Sequence, residues 1–484
     1  MRKELIYTAR HTVIYSIGNL STKLIGLVLL PLYTAKLTVE NYGQFAILEV
    51  TMQFFIMVCG LRLVSGMMRW CSDTEDKKEQ GSIIFTSYLA MIALALVLNL
   101  IFQPLRSTWS QIFFHTADFN FYFTLLFINV GLEIINSIPM NVLRFRQQSV
   151  QYVVLFSLKM LTALSLNIYF IGYAHRGIDG ILLSHVCANG LLLLLSIPII
   201  IKNSYYKFRM NSLKQMVQYS LPLVFTAISV QLLSMGDRFI LKYYLTYDDV
   251  AIYSLAYKIA GVINVFLIQS FTLGFLPVAY RMSGRSDGKA FFIRVHTYFA
   301  GLLVVAALLL SLFSREVLAL FVRNDAYLAA AAFVPLLAFT FVFKGLQYIY
   351  SLGFHYVKKT RYNALIVFGG VILNFLLNFM LIPRWGIWGA SISTVISSVA
   401  LASAFYYYSS KLYPVKYKVH TVGAMLALAG AIVAIQGLVN VHTIALSILV
   451  KLALVAVFAV LLFVLRIFSF NELKRLIKTI KPPQ

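Results

Sequence analysis

Apolar residues run through this sequence in stretches of about twenty, separated by short segments that hold most of its charge. A stretch of about 20 apolar residues is what an α-helix needs to cross the hydrocarbon core of a bilayer, because each residue advances the helix by only ~1.5 Å. The pattern predicts helices at about 12–34, 44–66, 82–104, 119–140, 151–171, 177–201, 217–240, 251–276, 291–313, 327–352, 362–382, 386–408, 419–440 and 444–466, fourteen in all. The expected fold class is an all-α polytopic membrane protein, and the first apolar stretch, with no small-residue cleavage site, is expected to remain in the protein.

Composition removes the alternative of about three soluble domains for 484 residues. The chain is 60% hydrophobic and 12% charged, whereas soluble domains run near ~45–50% and ~25%. Its mean hydropathy is +0.82. The three cysteines, Cys59, Cys71 and Cys187, are odd in number and lack metal-ligand spacing, so they are expected to be unpaired thiols.

The net charge of +24, from 41 Lys and Arg against 17 Asp and Glu, would point to nucleic acid in a soluble protein. Here it follows topology. With both termini on one side, that side collects 27 flanking basic residues and the other side 8. The asymmetry places both ends in the cytoplasm, supports an even number of helices and leaves no basis for a nucleic-acid partner. At the C-terminus, Leu473, Leu476, Ile477 and Ile480 share a helical face opposite Lys474, Arg475, Lys478 and Lys481. This pattern fits a short helix on the inner leaflet, or else a solvated tail.

The chain also repeats. LTVENYGQFA at 37–46 aligns with LTYDDVAIYS at 245–254, and RGIDGILLS at 176–184 aligns with WGIWGASIS at 385–393, at nearly the same offset. The repeat divides the chain into a six-helix lobe at 1–210, a second at 211–412, two further helices at 413–468 and a tail at 469–484. Because six is even, the two lobes enter the membrane in the same orientation, related by a pseudo-two-fold along its normal and enclosing a cavity.

Three stretches carry a resemblance: LTVENYGQF after the first helix, MGDRFILKYYLTYDDVAIYSLAYKIA at 235–260, and RWGIWGASISTVIS at 384–397. They resemble the oligosaccharide flippase family, the polysaccharide-transport branch of the multidrug/oligosaccharidyl-lipid/polysaccharide exporter superfamily, over about residues 1–410. The resemblance implies a fold of the multidrug-exporter kind and a transporter rather than an enzyme. It further implies movement of a polyprenyl-pyrophosphate-linked oligosaccharide from the inner to the outer leaflet by alternating access. The implied setting is the bacterial cytoplasmic membrane, the implied partners are that glycan, the bilayer, a glycan polymerase and glycosyltransferases, and the implied state is a monomer without cofactor. The family's functional residues vary among its members, so candidates come from the physics of the spans.

Six basic residues lie inside predicted helices: Lys23, Arg62, Lys159, Lys258, Lys344 and Lys451. An ionised side chain near the bilayer centre costs about 2.5–3.5 kcal/mol on insertion scales, and such residues usually face a cavity. Lys23 and Lys344 are near mid-span, Lys159 and Lys258 about a third of the way in, and Arg62 near enough to the cytoplasmic end to snorkel. Lys451 is expected to snorkel outward or face a lipid groove. Several sit in polar stripes at helical spacing: Thr12, Ser16, Asn19 and Lys23; Asn129, Glu133, Asn136 and Arg144; Ser254, Lys258 and Gln269; Thr340, Lys344, Gln347, Ser351 and His355; with His185 and Asn189 on the sixth helix. Such stripes line water or hold helices together by hydrogen bonds.

Of the acids, Glu133 is placed to neutralise one of the lysines. Asp237 is expected to pair with Arg238 or cap a loop, and Glu49 stands near the outer end of the second helix. The expected site is a cationic cavity built on Lys23, Lys159, Lys258, Lys344 and Arg62, with Asn19, Glu133, Asn136, His185, Gln347 and Ser351 as polar lining. Asp237, Arg238 and Glu49 are expected in gating or structural roles. A cationic cavity suits a pyrophosphate and repels cationic drugs.

No phosphate-binding P-loop motif occurs. The first helix holds Lys23 and lacks the acidic coupling residue that multidrug exporters of the superfamily resemble one another in carrying. A lipid II flippase or a multidrug exporter of that superfamily is the nearest alternative. A polytopic glycosyltransferase or glycan polymerase is the alternative of another class; it needs long outer loops, and those here are about ten to fifteen residues. The acidic patch Asp73-Thr74-Glu75-Asp76 reads as a solvated loop beside Lys77 and Lys78.

Overall fold

The computed structural model describes residues 26–283, 285–357, 359, 361–439 and 443–464. The described residues are almost wholly helical, without a strand. Their helices are α1 (Leu30–Lys36), α2 (Val39–Cys59), α3 (Leu63–Ser72), α4 (Lys77–Phe102), α5 (Arg106–Phe114), α6 (Asn120–Phe145), α7 (Ser149–Asn167), α8 (Ile178–Asn203), α9 (Met210–Met235), α10 (Asp237–Tyr244), α11 (Tyr247–Ala260), α12 (Ser270–Ser283), α13 (Gly288–Leu312), α14 (Ser314–Phe321), α15 (Val334–Tyr356), α16 (Arg361–Leu412), α17 (Val419–Leu438) and α18 (Ile444–Val464).

Twelve helical segments among the described residues are long and apolar enough to cross a membrane, one of them spanning two of the fourteen predicted helices. The first predicted span lies largely outside the described residues, which enter it at Gly26. The spans predicted at 362–382 and 386–408 form one 52-residue segment, α16, interrupted at Gly386. There φ is 56° and ψ −133°, a left-handed backbone that an L side chain rarely adopts. The segment running from α11 to α12 contains a turn of π-helix at Asn264–Gln269, and α7 continues into another at Ile168–Tyr173.

The second predicted helix differs most from expectation. It ends at Cys59 instead of running to 66, and Leu61 and Arg62 are both left-handed, with φ of 47° and 50°. Each such residue costs roughly 1–2 kcal/mol against its right-handed form. The chain turns here and restarts as α3, with Arg62 as its N-cap residue.

Both copies of the LT repeat open a helix in the same way. Thr38 caps α2 by accepting from the Asn41 amide (3.1 Å), and Thr246 stands before α11, where its hydroxyl accepts from the Asp249 amide (3.3 Å). The two helix starts also touch. A Cβ on Gly43 would stand 1.9 Å from the Tyr247 carbonyl oxygen, so only glycine lets these backbones approach.

The described helices form two compact units, one comprising described residues up to 254 with 321–327 and 367–387, the other 255–320, 328–366 and the described residues from 388 on. In the first, α6 packs against α8, α4 and α2. Its core is aliphatic and sulfur-bearing, with Leu63, Met67, Ile84, Met91, Ile138 and Met216 among its buried members. In the second, α13 packs against α15 and α17. Helices such as α7 and α18 bury only a small part of their length and leave apolar side chains outside, as lipid requires.

Candidate functional site

The first unit contains a cavity of about 720 Å³. Five elements contribute its polar lining: Gln53 on α2, Arg62 and Ser65 at and just after the α2–α3 break, Glu133, Asn136, Ser137, Asn141 and Arg144 on α6, Lys159 on α7 and Gln231 on α9. The α6 residues recur every three to four positions, which is why one face of a single helix supplies so much of the wall. The break after Cys59 explains the presence of Arg62. As the residue starting α3 it is exposed and borders the cavity, as the sequence-based site expected.

Lys159 and Glu133 form an ion pair, Nζ to Oε2 at 2.8 Å, with side chains 21% and 35% exposed. The Asn189 side chain also hydrogen-bonds Glu133, and His185 lies within electrostatic reach of it, with Glu49 near the imidazole in turn. Behind these residues stands a carboxamide chain. The Asn136 side chain donates to the Asn189 carbonyl (2.9 Å), and Asn189 Nδ2 donates to Asn129 Oδ1 (2.6 Å). Across the cavity wall, Gln231 Nε2 donates to Gln53 Oε1 at 2.9 Å. The cavity thus carries three cations, Arg62, Arg144 and Lys159, with one carboxylate, and many groups able both to donate and to accept.

The remaining candidates lie elsewhere. In the second unit, Lys344 Nζ donates to the Tyr257 hydroxyl at 2.6 Å and stands 5.0 Å from the centre of the Phe341 ring. Lys258 and Gln347 are half-buried, and Ser351 is buried, its hydroxyl donating to the Tyr348 carbonyl of its own helix (2.7 Å). Asp237 and Arg238 belong to the first unit and are paired at 2.9 Å, with 2% and 5% of their side chains exposed. Tyr253 donates to the Asp237 carboxylate, and the Arg238 guanidinium lies over the Tyr253 ring. Lys23 and Asn19 fall outside the described residues, as does the amphipathic tail.

Lys451 neither snorkels nor faces lipid. It is 5% exposed and paired with Glu316 of α14, beside the Phe313 ring. A carboxylate from a short helix between two spans neutralises it, so the charge can be buried at the cost of two desolvations rather than of an unpaired ion. The cavity residues absent from the sequence-based site are Gln53, Ser65, Ser137, Asn141, Arg144 and Gln231. Arg144 already stood in the Glu133 stripe, and Ser137 and Asn141 could have been found by following that stripe turn by turn; nothing local marks Gln53 or Gln231 beyond their being amides in apolar spans.

Among described residues no group of three or more His, Cys, Asp or Glu side chains could hold a metal ion.

Solved structures share this fold. A lipid II flippase, MurJ, in an inward closed conformation, superposes with a TM-score of 0.76 over 94% of this chain and 100% of its own, at 13% identity. An inward-facing multidrug resistance transporter of the MATE family, in the MOP superfamily, gives 0.63 over 85% and 95%, at 15% identity. A mutant form of the Vibrio cholerae MATE transporter VcmN gives 0.59 over 84% and 96%, at 18%. In sequence, protein 1 of the Lsg locus of Haemophilus influenzae (strain ATCC 51907 / DSM 11121 / KW20 / Rd) is 22% identical over 275 residues, covering 56% of this chain and 65%, just under two thirds, of that relative. The fold is that of membrane transporters rather than of enzymes. The polysaccharide biosynthesis protein family matches residues 8–283, more than half of the chain, and with the helix pattern, the repeat and the fold now in view, this multi-pass membrane protein belongs to that family.

Proposed function

We propose that the protein is a flippase that carries a polyprenyl-pyrophosphate-linked oligosaccharide, a repeat unit of O-antigen, capsule or exopolysaccharide, from the inner to the outer leaflet by alternating access. The observation that carries this reading is the charge of the 720 Å³ cavity, with Arg62, Arg144 and Lys159 against Glu133 alone. A pyrophosphate diester brings two negative charges, which arginine meets with a fork of donors and lysine as a point charge. The carboxamides and hydroxyls around these cations match sugar hydroxyls, which donate and accept in equal measure. Lys23, Lys258 and Lys344 are proposed as further cations that meet the cargo in this reading.

The setting proposed is the bacterial inner membrane with both termini cytoplasmic, the basic residues being concentrated on that side. The lobes at 1–210 and 211–412 move against each other, with residues 413–468 as an accessory pair, and the protein works as a monomer that receives its cargo from glycosyltransferases and delivers it to a polymerase. Outward movement of an anion is favoured by an inside-negative potential, at about 2.3 kcal/mol per charge per 100 mV.

The test is surface glycan in cells whose own copy is deleted, complemented with Arg62→Ala, Lys159→Ala or Lys344→Ala at matched protein level. Loss of glycan with lipid-linked precursor accumulating inside is the expected result. Full complementation by all three variants overturns the cationic-path reading. The fold shared with MurJ favours a second reading, transport of lipid II; rescue of cells depleted of their lipid II flippase distinguishes it.

A further inference from the structure

One of the three cations that line the cavity is already occupied. Lys159 is held by Glu133 at 2.8 Å, and both line the space that a head group must enter. An incoming anion therefore competes with a built-in one. Resting on the anionic-cargo reading above, we propose that Glu133 is a substrate-displaced counter-ion: the head group takes Lys159 from it, and the released carboxylate takes up a proton from cavity water.

The surroundings of Glu133 decide why it takes the proton rather than remaining charged. Once Lys159 turns to the ligand, the carboxylate faces a bound anion, and like charges at close range cannot both remain ionised without strong repulsion. The other groups facing it are few. His185 approaches from α8 with Glu49 behind it, and the Asn189 amide contributes a donor. Arg62 and Arg144 border the same cavity, Arg144 lying over the Tyr152 ring. The charges of α4 sit in its first turn, where Glu79 is engaged by Arg209 at 2.7 Å, and Arg69 of α3 is engaged by Asp73. The step balances: one proton moves from solvent to a Glu133 oxygen as the head group binds, and it returns to solvent when the head group leaves and the pair re-forms. If release occurs on the other side, one proton travels with each head group, and the net charge moved falls by one.

The test uses the full-length protein in detergent and farnesyl-pyrophosphoryl-glucose as probe, a diester whose two phosphates hold fixed charge near neutral pH. Calorimetry in two buffers of different ionisation heat counts the protons taken up. Because the loaded state holds the extra proton, wild-type affinity should weaken by about tenfold for each unit rise in pH, the slope for one linked proton. Glu133→Gln, which keeps shape and removes the charge, should bind at least as tightly, with no uptake and no pH slope. Lys159→Gln should bind weakly and also without uptake, because Glu133 stripped of its counter-ion within the span already holds its proton before the probe arrives. His185→Gln should keep the uptake.

Wild-type binding without proton uptake, or uptake surviving in Glu133→Gln, overturns the counter-ion proposal and leaves the flippase reading standing. Uptake lost in His185→Gln and kept in Glu133→Gln assigns the proton to the imidazole and overturns it too. A wild-type protein that does not bind the probe overturns the anionic-cargo reading, and the counter-ion proposal with it.

Discussion

Lys159 and Lys344 are both ammonium groups within apolar spans, and the two units accommodate them differently. Lys159 has a carboxylate partner and opens on a cavity. Lys344 has a phenol, Tyr257, for a hydrogen bond and lies near two aromatic rings, Tyr257 and Phe341. The first arrangement neutralises the charge until something displaces the acid. The second leaves the charge in place and solvates it with a neutral oxygen and ring faces, at about 0.5–1 kcal/mol or more for each cation–π contact. A third lysine, Lys451, shows what a purely structural solution looks like: it is buried in the helix pair outside the repeat and paired with Glu316 of α14. Lys159 opens on a cavity and Lys451 is buried although both are paired, so the presence of a partner does not by itself mark a lysine as locked into the scaffold.

Substitutions can break this comparison. The largest expected effect is on transport: Lys159→Ala and Lys344→Ala each abolish surface glycan, measured by glycan staining against immunoblotted protein, whereas the double variant Lys451→Met/Glu316→Gln leaves display intact. Display lost in that double variant, with the protein folded, would mean that burial does not sort the lysines. Next in size is stability. Lys451→Met alone strands Glu316 and should destabilise by about 3 kcal/mol, the lower end for a broken buried pair. The double variant should recover most of it, as thermal unfolding in detergent will show.

Lys159→Ala should cost less, about 2 kcal/mol, because the stranded Glu133 keeps access to cavity water, whereas Lys344→Met leaves only a phenol short of one hydrogen bond and should cost about 1 kcal/mol. Equal midpoints for these two variants would erase the distinction between neutralised and merely solvated charge. The smallest effect belongs to Tyr257→Phe, which keeps the ring and removes one hydrogen bond; it should lower stability by ~1 kcal/mol and leave glycan display in place.

The helices of this protein were legible because a bilayer imposes one rule on every span, about twenty apolar residues with the backbone bonded internally. Where the reading of the helices failed, the cause was local backbone geometry. Nothing in the apolar run around Cys59 announces that Leu61 and Arg62 will turn left-handed. The break expected between 382 and 386 does fall there, at Gly386, where the backbone leaves the helical region between two helices. The pairing of Asp237 with Arg238 follows from adjacency. That of Lys159 with Glu133 joins residues 26 apart on different helices, and that of Lys451 with Glu316 joins residues 135 apart.

The sequence by itself determined the solvent, the helices, the repeat and the short list of buried charges, because each depends on hydrophobicity and spacing along one segment. The tertiary structure decided which of those charges are neutralised and which open on a cavity. A side chain's partner is set by the helix that packs beside its own, and helix packing brings together residues whose separation along the chain carries no signal.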